Sequence, residues 1–304
     1  MRLLKGKGRG QERRYVERIT DRSGPAFAAA AEMRGRGETM LRLIKTVCCV
    51  VSMICMGCVA GQMLIPWMGA QTPEDDYAAA QMLLDDFERK GDGLWFRRNT
   101  IDPDRVYRAL EARLPYAFTM KCKTLHDGSA ELTMEIGNRA SQEQAETLAR
   151  GIVQSLQLEG MDVRGQLLAL HDWLVVNCAY DLSVEKTDTL DGSSPPFTAV
   201  GALVNGSAVC MGYARGYQML CEAAGIETFF IVSERMNHAW NAVWLDGELL
   251  FIDCTYDDPV PDRPGVAGHQ YFLINADGLR RTHIWDEAFY ERLFQKLEIE
   301  ESAA

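Results

Sequence analysis

Three residues could do chemistry together: Cys210, His238 and Asp253. Cys210 opens a run to Ala224 in which Cys210, Ala214, Tyr217, Cys221 and Ala224 recur at the spacing of one helix face, with Gly225 as the stop. A thiol at a helix N-terminus lies beside unpaired N–H groups and the positive end of the helix dipole, which stabilise a thiolate and make it a nucleophile. His238 and Asp253 reach the same place through strand register. Asp246-Gly247 between apolar runs signals a two-residue hairpin. If Leu245 pairs with Glu248, Trp240 lies opposite Asp253 and His238 opposite Thr255. His238 and Asp253 then project to one side as diagonal neighbours roughly 7 Å apart at the backbone, within carboxylate-to-imidazole reach. Such a set performs acyl chemistry: the thiolate attacks an acyl carbon, the imidazole carries a proton to the leaving amine, and the carboxylate fixes the tautomer.

The elements that must hold these residues can be read on either side. Thr228 to Val232, Ala239 to Leu245 and Glu248 to Cys254 read as strands, and Gly212 and Gly216 let the Cys210 helix pack closely against a neighbour. Asn205-Gly206-Ser207-Ala208-Val209 reads as a loop, as does Leu182 to Pro196, where Pro195-Pro196 opposes regular structure. Val163 to Asn177 is a helix with Leu167, Leu170 and Leu174 on one face, and Ser141-Gln142-Glu143-Gln144 reads as a capping box opening a helix that ends near Gly160. Further upstream, Thr72-Pro73 predicts a helix start with Thr72 as cap, running to about Lys90, and Asp102-Pro103 a second. Phe118, Met120 and Cys122, then Leu132, Met134 and Ile136, alternate with polar residues about a turn at Asp127-Gly128, which predicts a hairpin.

The run Gly206-x-x-x-Cys210-x-Gly212-Tyr213-Ala214, followed by Asn237-His238-Ala239-Trp240-Asn241 and Phe251-Ile252-Asp253-x-Thr255, resembles the transglutaminase-like superfamily. His171-Asp172-Trp173-Leu174 through Tyr180-Asp181 looks like that core's upstream helix, and Tyr271-Phe272-Leu273 with His283-Ile284-Trp285 like its closing segment. The resemblance covers about Val163 to Trp285. It implies an α+β fold with a papain-like core, a Cys-bearing helix packed on an antiparallel sheet, with Cys210 as nucleophile, His238 as base and Asp253 as orienting acid. Crosslinkers, peptidases, deamidases, amidases and inactive forms share that core, so hydrolysis and acyl transfer both stay open, as does a non-catalytic peptide-binding surface module. The backbone N–H of Cys210 is a natural oxyanion donor. Asn177 and Tyr180, and after them Asn205, are candidates for the second, and Tyr213 and Trp240 for the substrate cleft.

Other readings of these residues are weaker. A zinc site from Cys210, His238 and Asp253 lacks the further thiolates usual in structural sites, so no metal is expected. No organic cofactor is expected, and no EF-hand-like loop supports calcium, although some relatives use it. His171 and His283 read as hydrogen-bonding residues and His126 and His269 as solvated. Cys254 reads as a core thiol on the far face of its strand, and Cys178 and Cys221 as core or as a pair.

Charge divides the chain of 304 residues. Residues 1–45 hold 12 Lys and Arg against 5 Asp and Glu, and the remainder 20 against 38, within an overall net charge of -11. An acidic body is a poor binder of polyanions, so nucleic acid is not an expected partner. Between these parts, Thr46 to Ile65 is an uncharged stretch of membrane-spanning length with Arg42 and Lys45 before it. The positive flank stays inside, which predicts a single-pass anchor in the cell membrane and an extracytoplasmic body acting on peptide or protein substrates at the cell surface. Secretion after signal cleavage near Met68-Gly69-Ala70 is the alternative, and Met40 would make a more usual start. The expected organisation is a basic segment 1–45, an anchor 46–70, a small α+β accessory region 71–140 and a catalytic region 141–304. Of nine cysteines, Cys48, Cys49, Cys55 and Cys58 lie in the apolar stretch; an odd five remain outside it, so at least one stays unpaired within the chain.

Overall fold

The computed structural model describes residues 70–97, 100–126, 128–184 and 190–303. The basic segment and the apolar stretch 46–65 lie outside them. No helix of the described residues is long and apolar enough to cross a membrane.

The chain begins with helix α1 (Asp76–Glu88), strand β1 (Leu94–Phe96), helix α2 (Pro103–Arg113) and the hairpin of β2 (Phe118–Thr124) and β3 (Ala130–Ile136). The hairpin forms as its alternation predicts, and β1 joins it in an antiparallel sheet of order β1-β3-β2. Asp102 caps α2 through a bond from the Asp104 amide, with Pro103 in the first turn. The predicted cap of α1 is corrected: Asp75, not Thr72, accepts from the amides of Tyr77 and Ala78, because a carboxylate at the dipole's positive end outcompetes a hydroxyl three residues earlier.

Helices α3 (Arg139–Leu156) and α4 (Val163–Asn177) follow, the second with its predicted bounds. The capping box at Ser141 is also corrected. Helix α3 starts at Arg139 behind Asn138, which takes a left-handed conformation with φ 46, and Gln142 turns inward instead. Buried there, its side chain accepts from the Ala117 amide at 2.8 Å and donates to the Ala117 carbonyl at 2.9 Å, tying α3 to the start of the hairpin. The stretch between α4 and Cys210 is more regular than its prolines suggest. Strand β4 (Ala179–Tyr180) pairs in parallel with β5 (Ser207–Ala208), a 3₁₀ turn spans Pro195–Phe197, and a π-helical turn covers Val200–Asn205.

Helix α5 (Cys210–Ala223) is the centre of the structure. The chain then makes β6 (Phe229–Ser233), β7 (His238–Leu245), β8 (Glu248–Ile252), the one-turn helix α6 (Cys254–Asp257), β9 (Ile274–Asn275), α7 (Ala276–Leu279) and α8 (Glu287–Ala303). Strands β6-β7-β8-β9 form a second antiparallel sheet in that order. Helix α5 packs against this sheet through Ala214, Phe230 and Ala239, and against α3 and α4 on its other side. Eleven of its fourteen residues are buried, so its inward polar side chains must find partners inside. Arg215 does so with Glu111 of α2 at 3.0 Å and the Phe197 carbonyl at 2.9 Å, while Gln218 donates to the carbonyls of Ala112 and Thr228. A single apolar cluster joins Leu83, Leu110, Phe118 and Leu132 from the first elements with Phe229, Trp240 and Phe251 of the second sheet.

Close packing of α5 depends on its glycines. A Cβ on Gly212 would meet the Pro196 carbonyl oxygen at 2.4 Å, and one on Gly216 the Ala202 Cβ at 2.9 Å. Gly212→Ala is therefore expected to destabilise the fold by about 1–3 kcal/mol, the usual range for overpacking, and more than Gly216→Ala, whose neighbour is a side chain. Denaturant unfolding followed by circular dichroism checks this order.

Candidate active site

The hairpin of β7 and β8 has the predicted register. Leu245 pairs with Glu248, Asn241 with Ile252, and Asp246 and Gly247 both take positive φ (55 and 79), as a type I′ turn requires. The ladder ends at Ile252. Asp253 is not a strand residue but the N-cap of α6, where its Oδ1 accepts from the Tyr256 amide at 3.0 Å. Thr255 therefore does not face His238, and Cys254 leaves the strand too; it is a buried thiol of the core through α6. The bend turns the carboxylate toward the imidazole, and His238 Nε2 meets Asp253 Oδ2 at 2.6 Å.

Cys210 is the first residue of α5, as the sequence predicts, and its N-cap Val209 supplies no side-chain bond to the first-turn amides. The sulfur lies 4.0 Å from the carbonyl oxygen of Asn237, the residue before His238, and its interaction with the His238 imidazole is one of the causes that raise the ring's pKa. Since Nε2 holds Asp253, Nδ1 is the ring nitrogen left for the sulfur. Asn237 reaches β7 through a left-handed turn with φ 51, a conformation asparagine tolerates better than most residues, and so aims His238 at α5. Cys210 and His238 each keep 8% exposure, whereas Asp253 has 1%. A substrate atom can reach the first two and not the third.

Burial alone would make the His238 ring shed its proton. The bonds with Asp253 and Cys210 outweigh it and raise the pKa from 6.5 to about 9. For Asp253, burial pushes toward the neutral acid, but donors from His238 and His283 and the Tyr256 amide hold its pKa below the ordinary value.

His283, expected only to hydrogen-bond, does so at the most consequential place available. Its Nε2 meets the same Asp253 Oδ2 at 2.9 Å, and its Nδ1 lies 2.9 Å from the Thr282 hydroxyl. A Thr282 hydroxyl donating to Nδ1 leaves the proton on Nε2, aimed at the carboxylate. Tyr256, which no sequence signal singled out, stacks on the His238 ring with centroids 4.6 Å apart while staying 46% exposed. His238, Asp253 and His283 also form a group of metal-ligand type, all three of them buried.

The remaining candidates are elsewhere. Tyr213 and Trp240, expected on the cleft, are buried to 0% and 1%: the Tyr213 hydroxyl is held by the Cys178 carbonyl and by Asp258, and Trp240 packs behind His238. The Asn177 side chain donates to the Trp173 carbonyl at 2.7 Å within its own helix, and Asn205 is exposed at the end of the π turn. Tyr180 is half-buried on β4, paired with Ala208 two residues before Cys210. Cys122, Cys178, Cys210, Cys221 and Cys254 are all free thiols, so Cys178 and Cys221 do not pair. His126 is exposed as expected; His269 is exposed too but meets Asp172 at 2.7 Å, and His171 is buried beside the same carboxylate.

Residues 147–254 match the family model described as the transglutaminase-like superfamily, a stretch that runs from α3 to the first residue of α6 and contains Cys210, His238 and Asp253. Two solved structures overlap the chain in part. One is the crystal structure of a TGase, 14% identical with a TM-score of 0.31, sharing 45% of this chain and 43% of that one. The other is a candidate cysteine protease from Cytophaga hutchinsonii, 15% identical with a TM-score of 0.29, sharing 50% of this chain and 66% of that one. The chain thus spans less than two thirds of either. No curated protein matches it.

The raised pKa of His238 has a thermodynamic sign. A group that binds its proton more tightly when folded adds stability that is complete below its unfolded pKa and is lost as pH rises through the folded value. The stabilisation contributed by His238 should be full below pH 6.5 and fade through about pH 9. Urea unfolding across that range, compared with His238→Gln, should give a falling profile for the parent and a flatter one for the variant.

Proposed function

We propose that the chain is a transglutaminase-like cysteine enzyme acting on peptide or protein amide bonds through a Cys210 thioester. The observation that carries this reading is the 2.6 Å contact between His238 and Asp253, on an imidazole whose other nitrogen is left for Cys210. The match of residues 147–254 to the superfamily supports it.

The residues divide the work by position. His238 takes the proton of the Cys210 thiol, the sulfur attacks the amide carbon, and the carbonyl oxygen that gains charge is met by the uncapped amides at the start of α5. The imidazolium of His238 gives its proton to the leaving amine as the carbon–nitrogen bond breaks. In the second half, neutral His238 takes a proton from water, or from an acceptor amine, as that nucleophile attacks the thioester and the sulfur leaves. Asp253 keeps the ring oriented and stabilises its charged form. His283 acts through Asp253 and is a positioning residue. Water is the more abundant acceptor, which favours hydrolysis over transfer.

The test is incubation of the full chain with casein and a labelled amine. Fragments or free ammonia mark hydrolysis, and amine incorporation marks transfer. Loss of every product in Cys210→Ala is expected; turnover that survives it overturns the reading, and binding without turnover in the parent favours a peptide-binding module. Asp253→Asn and His238→Ala should each lower turnover by roughly a hundredfold or more, and the double variant should lose little beyond the worse single one, because the two residues act as a unit.

The proposal extends to topology, with residues 1–45 inside, 46–65 across the membrane and the acidic body outside. Protease added to intact cells should digest the body and leave the basic segment protected. Recovery of a soluble body beginning near Gln71 would put a cleaved signal in the anchor's place.

A further inference from the structure

A second cluster of histidine and carboxylate side chains sits at the far end of α6. Three ligand atoms, one each from His171, Asp172 and His269, lie within 4.8 Å of one another. His171 Nδ1 is 3.0 Å from Asp172 Oδ1, and His269 Nε2 is 2.7 Å from the same oxygen. On the other edge of the His171 ring, Nε2 faces Asp257 Oδ2 at 3.3 Å without an aligned hydrogen bond. The His171 side chain is fully buried and Asp257 has 1% exposure, whereas Asp172 and His269 are 40% and 48% exposed.

Asp172 Oδ1 is thus shared by two imidazole nitrogens, and each nitrogen of the buried His171 ring faces a carboxylate oxygen. Among the described residues, no Lys or Arg pairs with Asp172 or Asp257. A divalent cation placed among His171 Nδ1, Asp172 Oδ1 and His269 Nε2 would have all three as ligands, and the remaining His171 nitrogen, Nε2, would then direct its proton at Asp257. A carboxylate behind a ligating imidazole is the usual outer support of a zinc-bound histidine.

We propose that His171, Asp172 and His269 bind a zinc-class divalent cation, with Asp257 supporting His171 from behind and solvent completing the coordination. Two imidazoles and one carboxylate are a donor set suited to zinc. At zinc–ligand bonds of about 2.0–2.1 Å, tetrahedral ligands stand on the order of 3.3 Å apart, so the present 2.7 and 3.0 Å separations need to open by about 0.6 and 0.3 Å. His269 is exposed on a segment between α6 and β9 without regular structure and can supply that movement. The role is to fasten: His269 lies two residues before Tyr271, whose carbonyl accepts the Asp253 amide at 3.0 Å and whose own amide donates to Asp257.

The cation is independent of the thioester reading and is tested apart from it. The full chain carrying Cys210→Ala is stripped with a chelator and titrated with Zn2+ by calorimetry and with Co2+ by visible absorption, alongside thermal unfolding. One ion per chain, a higher Tm with Zn2+ and the absorption of low-symmetry four- or five-coordinate Co2+ are expected. His269→Gln, at an exposed position that leaves the core intact, should weaken binding at least tenfold, and Asp257→Asn on the order of ten- to a hundredfold. His238→Gln should leave uptake unchanged. No uptake, uptake indifferent to His269→Gln, or a His171 ring found doubly protonated at neutral pH in the presence of Zn2+ overturns the proposal.

Discussion

A carboxylate with 1% exposure must be surrounded by donors, and Asp253 is the point at which this requirement organises the structure. One oxygen takes two imidazoles, the other takes the Tyr256 amide, and its backbone amide is held by the Tyr271 carbonyl. Four stretches of chain converge on one residue: the start of β7, the first turn of α6, the segment before β9 and the loop between α7 and α8. The hairpin brings His238 to it, and the closing segment brings His283. Removing the charge would weaken the bonds from both imidazoles and from the Tyr256 amide together, so the ordering of the region and the orientation of the imidazole are one problem with one solution.

Much of this was legible because short-range rules decide it. Asp246-Gly247 admits few turns, and the type I′ turn sets the register that puts His238 and Asp253 near one another. Cys210 opens its helix because the small, apolar spacing after it is helical and Gly225 ends it. What could not be read was where a regular element gives way. Extending β8 to Cys254 placed Asp253 in a ladder, whereas its side chain does better as a helix cap. Caps misled elsewhere for the same reason: Thr72 and Ser141 satisfy the local pattern, but Asp75 and the inward-turned Gln142 satisfy partners that the pattern does not contain. His283 is thirty residues from Asp253, and nothing in its neighbourhood announces which carboxylate it meets.

The burial of α5 carries a further lesson about the elements before it. Glu111 and Arg215 are separated by 104 residues and form an ion pair inside the protein. Burial raises the pKa of Glu111, while Arg215 works against that shift. Replacing only one partner would leave a charge stranded among apolar side chains, which is why such pairs are lost or kept together. Read as a string, residues 72–138 hold no cluster of chemical interest and look like a spacer. In the fold they supply the counter-charge for the helix that bears Cys210, and share an apolar cluster with the sheet that bears His238.

The free thiols have a practical side. Cys178 and Cys221 are both pushed up to about 12 by burial, and burial also raises Cys122 and Cys254. At neutral pH these four hold their protons, and three of them are sealed in the core. Cys210 differs from the three sealed thiols in keeping 8% exposure at the start of a helix, and from all four in its interaction with the His238 imidazole. Within the described residues, a thiol-directed reagent thus meets Cys210 and the half-buried Cys122, and not the three sealed thiols. A fluorophore or crosslinker could be delivered to Cys210 with Cys178, Cys221 and Cys254 left in place, and its loss of selectivity on heating would report the opening of the core.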